Sequence, residues 1–326
     1  MSDPRLDRWS KEQLLAELRH RQRSTSRTRG AHGAARGLHP ELREVATSRL
    51  AAAVKGQQRV IYGTDGRQDI FEVKSKKVRG VADAVAALVK AGDLQATPGG
   101  GFELRTTSYR DEFDLCASEP FAAQPLGCFC SGFLVAKDVI ATAGHCVKSA
   151  ADLAGLRFVF GFRMKDAARP NTIFGPDDVY EGKEILGRQL VGDGADWALV
   201  RLKRTVAGRA PLAVRTSGKI GNRQAVFVIG HPNGLPAKYA PGAKVRDNSA
   251  GPFFVANLDT YGGNSGSPVL NSSSYKVEGI LVRGENDFVS NGTCNVSLVC
   301  PTTGCRGEDV TRASVWAGKI PKRNPR

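Results

Sequence analysis

The chain has 326 residues, 41% of them hydrophobic and 24% charged, with a formal net charge of +15. That composition excludes an intrinsically disordered chain and suits folded units with sizeable cores. No apolar run is long enough to span a bilayer, and the first residues, MSDPRLDRWSKEQLLAELRHRQ, hold no signal-peptide core, so the expected location is cytoplasmic with no membrane partner.

Residues 9–22, WSKEQLLAELRHRQ, predict a short amphipathic helix: Ser10 can cap it, and Trp9, Leu14, Leu15 and Leu18 recur at helical spacing. An Arg/Ser/Gly linker follows, then a second predicted helix from about Pro40 to Val54. Residues 1–59 carry 13 Lys/Arg against 6 Asp/Glu. Such a charge run can grip nucleic acid or an acidic partner. The stretch RHRQRSTSRTRGAHGAARGLH, however, interleaves no large aromatic residues for base stacking, so it reads as a solvated segment and nucleic acid is not an expected partner.

From Val60 onward the texture changes to short β-like runs separated by Gly, Pro, Asn and Asp: RVIYG, DIFEV, DAVAALV, GFELRTT, CSGFLV, DVIATAG, RFVFGF, ALVRL, AVFVIG, FFVANL and KVEGILVRG. Many short strands with turn signals between them predict an all-β sandwich or a pair of barrels. The seven cysteines are Cys116, Cys128, Cys130, Cys146, Cys294, Cys300 and Cys305. An odd count without an export signal weakens a full disulfide framework. Zinc competes for the last three, but their spacing fits no finger or ribbon and no histidine lies near them, so neither a metal nor a cofactor is expected.

The stretch DTYGGNSGSPV, residues 259–269, surrounds Ser265 with glycines that let a second molecule approach the main chain closely. A nucleophilic serine needs a base within hydrogen-bond reach and an acid that orients the base. The β region offers two histidines. His145, in VIATAGHCV, stands at the end of an apolar run before a small-residue turn; His231, in VIGHPNGLP, precedes a Pro-Asn-Gly turn and reads as structural or pocket-lining rather than as the base. In GADWALVRL, Asp196 opens a strand, where a buried acid needs a partner such as an imidazole N–H.

In the order His145, Asp196, Ser265, the motifs CSGFLVAKDVIATAGHC, DWALVRL and GGNSGSPV resemble those of the chymotrypsin-like serine peptidases. The last, with Asn264 and Ser267, is most similar to the bacterial glutamyl-endopeptidase branch, and VIYGTDGR at 60–67 resembles the start of the mature enzyme there. The resemblance covers about residues 60–318. It implies two antiparallel β-barrels with the site between them: residues 60–212 as the first barrel with His145 and Asp196, residues 213–326 as the second with Ser265 and the pocket, and residues 1–59 as a basic, partly helical regulatory or pro-segment. It implies a polypeptide substrate, an oxyanion hole from the N–H groups of Gly263 and Ser265, and substrate backbone pairing along Val282, Arg283 and Gly284. It also implies a Cys130–Cys146 bridge. The segment RGEDVTR, 306–312, is expected to close the second barrel.

The sequence departs from the pattern at three places. The zymogen aspartate before the nucleophile is here Asn264, which weakens activation through that ion pair, although Arg59 before Val60 resembles a cleavage site for an upstream activating peptidase. Leu281 stands where glutamyl endopeptidases carry a pocket histidine. Asp259 lies six residues before Ser265, the place of the trypsin specificity acid, so Asp259, Thr260, Leu281 and Arg283 are the candidate pocket residues and the cleaved residue stays open. Two competing readings are a noncatalytic binding module on a peptidase fold and a nucleic-acid-associated protein that uses its basic N-terminus.

Overall fold

The structure is a computed structural model that describes Glu17 and residues 61–192, 194–284, 287–301 and 304–321. The chain divides into two compact units, Met1–Gln58 and Arg59–Arg326. The helices expected at 9–22 and 40–54 and the Arg59–Val60 bond lie outside the described residues. Among the described residues no helix is long and apolar enough to cross a membrane.

Two closed antiparallel barrels of six strands make up the larger unit. The first comprises β1 (Val85–Lys90), β2 (Cys130–Ala136), β3 (Val139–Thr142), β4 (Leu156–Phe160), β5 (Val179–Leu190) and β6 (Asp196–Leu202), in the order β1-β4-β5-β6-β3-β2 and back to β1. The second comprises β7 (Ala225–Gly230), β8 (Lys238–Asp247), β9 (Phe253–Ala256), β10 (Pro268–Asn271), β11 (Val277–Arg283) and β12 (Glu308–Arg312), in the order β7-β10-β11-β12-β9-β8. Pairing of β7 with β8 closes it. The segment 306–312 does supply the strand between β9 and β11.

Several strands read as continuous apolar runs because both of their faces are buried. On β7, Val226 and Val228 point into the second barrel with Val269, Leu281, Phe254 and Val310. The alternate residues Phe227 and Ile229 join Ile280 and Val282 of β11 in the larger core that also holds Phe133, Leu134, Ile140 and Trp197 of the first barrel. On β7, period-two alternation therefore divides the strand between the barrel interior and the layer shared with the first barrel. Trp316, on the short helix Ala313–Trp316 after β12, is fully buried in that layer and meets Phe133 edge-on.

Two sequence expectations change here. Of DIFEV only Asp69 is strand: Gln68–Asp69 adds to the edge of β8, and the chain then turns, with the Glu72 carboxylate accepting from the Asp69 N–H, into α1 (Lys76–Asp83), capped by Ser75. The odd cysteine count hides three disulfides, Cys116–Cys294, Cys130–Cys146 and Cys300–Cys305, with Cys128 left over. Cys116 and Cys294 are 178 residues apart and meet only because the excursion that contains α2 (Tyr109–Phe113) lies along the hairpin 288–297.

Candidate active site

His145 sits in the turn that follows β3, and Asp196 opens the neighbouring strand β6. The Asp196 carboxylate is 2% exposed and accepts three hydrogen bonds: from the Gly144 N–H at 2.6 Å, the His145 N–H at 3.2 Å and the His145 Nδ1 at 2.6 Å. A carboxylate can only accept, so Nδ1 carries the proton and Nε2 is the acceptor nitrogen. Gly144 is required by close approach: a Cβ there would stand 2.4 Å from the Gln189 carbonyl oxygen. Arg188 also donates to the Gly144 carbonyl, which ties this turn to the end of β5.

The loop that carries Ser265 reaches the same place from the second barrel. The Ser265 carbonyl accepts from the Ser131 N–H at 2.8 Å and lies 3.7 Å from Cys146 Sγ. A ring nitrogen of His145 lies within 4.8 Å of both sulfurs of the Cys130–Cys146 bridge. Those sulfurs are joined to one another, so this Cys–His–Cys cluster offers no thiolate to a metal.

Three successive carbonyls define the loop before Ser265. That of Gly262 accepts from the Asn233 N–H at 2.5 Å and the Asn264 N–H at 2.8 Å. That of Gly263 accepts from the Ser131 hydroxyl at 3.0 Å, and that of Asn264 from the Ser267 N–H at 2.9 Å. A trans peptide sets the following N–H on the side opposite its carbonyl, which turns the Gly263 and Ser265 N–H groups away from these anchors. Gly263 has φ +73°, and a Cβ there would stand 2.6 Å from the His231 carbonyl oxygen; only glycine fits. The Asn264 side chain accepts from the Ser267 hydroxyl, a neutral partner where a zymogen aspartate would hold an amine.

The remaining pocket candidates are placed less simply. Asp259 is 7% exposed and its two oxygens accept from the backbone N–H groups of Tyr62 at 2.7 Å and Gly66 at 3.3 Å. Burial pushes its pKa up to about 6, against the pull of those two N–H groups. Thr260 is fully buried and its Oγ1 has no hydrogen-bond partner among the described residues. The expectation for Leu281 is corrected: its side chain belongs to the interior of the second barrel, and its backbone pairs with Gly266 and Ser267. Val282 packs between the barrels. Arg283 does not turn inward as a pocket cation. Its Nε donates to Asp309 at 2.9 Å and its two terminal nitrogens to the carbonyls of Gly192 and Gly194 at 3.0 and 2.9 Å, so it ties β11 to the loop before Asp196. Gly284, just past β11, is half-buried.

His231 is buried, stacks on Phe162 and hydrogen-bonds the Leu235 carbonyl through Nδ1. Burial lowers its pKa to about 4. Sequence reasoning missed Ser131, Asn233 and Thr311, which hold residues of the site from far along the chain, Ser131 through two hydrogen bonds and the other two through one each; only the Pro-Asn-Gly turn around Asn233 left a visible signal.

Residues 130–280, from the start of β2 into β11, match the family Trypsin-like peptidase domain. No curated protein matches the sequence. Among solved structures, a Glu endopeptidase in complex with MPD is similar over 80% of this chain and 97% of its own, at 18% identity and a TM-score of 0.45. The VesB protease of Vibrio cholerae is similar over 80% of this chain and 66% of its own, at 14% identity and a TM-score of 0.46. The region 130–280 thus matches a Trypsin-like peptidase domain, and it lies within a chain folded as two paired six-stranded β-barrels.

Proposed function

We propose that the chain hydrolyses peptide bonds through an acyl-enzyme, with Ser265 as nucleophile, His145 as general base and then general acid, and Asp196 as the group that orients the imidazole. In the first half-reaction Ser265 Oγ bonds to the scissile carbonyl carbon while its proton passes to His145 Nε2. The carbon–nitrogen bond then breaks, and the same proton leaves on the amine. In the second, water repeats the sequence and Ser265 Oγ departs with the proton restored. The N–H groups of Gly263 and Ser265 hold the negative oxygen that develops in each half-reaction. The observation that carries this reading is the Asp196 carboxylate, which grips the backbone and the Nδ1 of His145 together.

The natural substrate is a polypeptide. Asp259 is held by backbone N–H groups and Arg283 by Asp309 and two carbonyls, so we assign neither to a charged substrate side chain. Residues 1–59 are proposed as a segment that an upstream peptidase removes after Arg59. Three disulfides suit an oxidising compartment and favour that location over the cytoplasm expected from the sequence. Thiol titration of the freshly isolated protein separates the two: one reactive thiol per denatured chain supports the oxidised form, seven the cytoplasmic one.

The test is labelling by a fluorescent fluorophosphonate of the full-length chain, a form that begins at Val60, and full-length Ser265→Ala. Strong labelling of either of the first two, absent in Ser265→Ala, is the expected result. Labelling of Ser265→Ala, or of none of the three, would overturn the assignment. Labelling of the Val60 form alone would support latency imposed by residues 1–59.

A further inference from the structure

The oxyanion donor at Gly263 depends on the direction of a single peptide plane, and that plane lies between two glycines. Residues 261–264 form a tight turn in which the Asn264 N–H meets the Tyr261 carbonyl at 3.2 Å and the third residue, Gly263, has φ +73°. A turn of this kind can interconvert with its alternative by rotation of its central peptide, which changes ψ of the second residue and φ of the third. Glycine at both positions removes the steric barrier that would oppose the rotation. In the rotated form the Gly262 carbonyl would occupy the place of the Gly263 N–H, and the hole would lose a donor. The loop therefore needs an external hold.

That hold is visible on both sides of Gly262. Its carbonyl accepts from the Asn233 N–H. Its own N–H donates to the Asp287 carboxylate, at 3.1 and 3.3 Å from the two oxygens. Asp287 is buried and is itself anchored, because its carbonyl accepts from the Leu298 N–H at 2.9 Å. The next residue, Phe288, packs on Tyr261, Phe113 and Tyr109, with ring centroids 5.1, 5.5 and 6.2 Å apart. The Tyr109 hydroxyl in turn accepts from the Asn233 amide at 3.1 Å, which joins the two holds through one aromatic layer. The Asn264 side chain, meanwhile, makes a neutral bond to Ser267, so among the described residues no ion pair of the zymogen type shapes this loop from inside.

We propose that Asp287 is a positioning residue for the oxyanion hole. Through the Gly262 N–H it fixes the peptide upstream of the 262–263 plane, so that the Gly263 N–H points at the developing oxyanion. The inference rests on the assignment of Ser265 and its oxyanion hole made above. Asp287 acts through the Gly262 N–H, so its effect falls on the chemical step rather than on binding.

The test uses full-length protein, or the Val60 form if only that form labels, and a fluorophosphonate probe whose inactivation kinetics are separated into a binding constant and a maximal rate. Four proteins are compared: wild type, Asp287→Ala, Asp287→Asn and Asp287→Glu, with Ser265→Ala as the blank. The expected result is a maximal rate lowered roughly 10²-fold in Asp287→Ala, of the size of one lost oxyanion donor, with the binding constant unchanged. Asp287→Asn, which keeps an acceptor oxygen at the same reach, should recover most of the rate. If Asp287→Ala fails to fold, Asp287→Glu decides, since a carboxylate one methylene longer keeps the charge but misplaces the acceptor; it should show the same rate loss. A folded Asp287→Ala, or failing that Asp287→Glu, with the wild-type maximal rate would overturn the inference while leaving the triad assignment intact. A wild type that does not label, or a Ser265→Ala that does, would overturn both.

Discussion

The hydroxyl of Thr311, on β12 of the second barrel, accepts the backbone N–H of Asp196, the first residue of β6 in the first barrel, at 3.1 Å. Together with Arg283, which reaches from β11 to the carbonyls of Gly192 and Gly194, it holds Asp196 from the second barrel. The two barrels therefore do more than meet at an apolar layer: the second sets the position of a carboxylate that the first supplies. Replacing Thr311 by Val keeps the shape and removes the acceptor, leaving a buried N–H without a partner. That substitution should lower stability by about 1–3 kcal/mol, read by urea unfolding, and slow fluorophosphonate labelling beyond what the unfolded fraction explains.

Gly263→Ala tests the loop itself. The new Cβ would meet the His231 carbonyl at 2.6 Å in a left-handed backbone, so the loop must shift and misdirect its N–H. Labelling should fall on the order of 10²-fold or more. The protein should stay folded by circular dichroism, since the strain is confined to a turn. A Gly263→Ala protein that labels at the wild-type rate would remove Gly263 from the oxyanion hole.

Asp259 makes stability depend on pH in an unusual direction. Its folded pKa of about 6 stands above the ordinary value of 3.8, so the folded chain holds the proton more tightly than the unfolded one. Its unfavourable contribution is absent below pH 3.8, develops between 3.8 and 6, and is complete above. Asp259→Asn keeps an acceptor for the Tyr62 N–H and removes the charge. Its stability relative to wild type should therefore rise between pH 4 and pH 7 by about 2–3 kcal/mol, measured by denaturant unfolding at the two pH values. A constant difference would show that the buried carboxylate is no burden.

Cys116–Cys294 holds the α2 excursion against the hairpin that carries Asp287 and Phe288. Converting both cysteines to serine should lower stability by about 2–4 kcal/mol and slow labelling, because the aromatic layer behind Tyr261 loses its tie. Cys300–Cys305 closes only a short loop, with a separation of 5 residues, and its removal should cost less, since loop-closure entropy rises with loop length. Equal losses for the two pairs in thermal unfolding would contradict the strut reading.

A positional peptide library checks the pocket. With Asp259 and Arg283 both engaged inside the protein, the residue before the cleaved bond should be uncharged. A strong preference for glutamate, lysine or arginine there would show that one of these side chains is released when substrate binds.

Much of this protein was legible in one dimension. Short β runs with turn residues between them indicated an all-β sandwich or pair of barrels, since strand periodicity and small-residue turns are local properties that neighbouring residues determine, and the two-barrel choice came with the resemblance carried by the His145, Asp196 and Ser265 motifs. The Cys130–Cys146 pair came with the resemblance, and its separation of 16 residues is short enough to sit within one strand pair. Other features depend on contacts that no local pattern encodes. Leu281 and Arg283 lie two apart on one strand, yet one enters the barrel interior and the other reaches Asp309 and the 192–194 loop. Asp259 resembled a specificity acid until the fold laid the backbone of Tyr62 and Gly66 against it, 197 and 193 residues away in sequence. The sequence determined which chemical groups the site has. Only the tertiary structure decided which of them face the cleft, because a buried carboxylate, guanidinium or peptide N–H takes the partner that the packing of distant strands brings within reach.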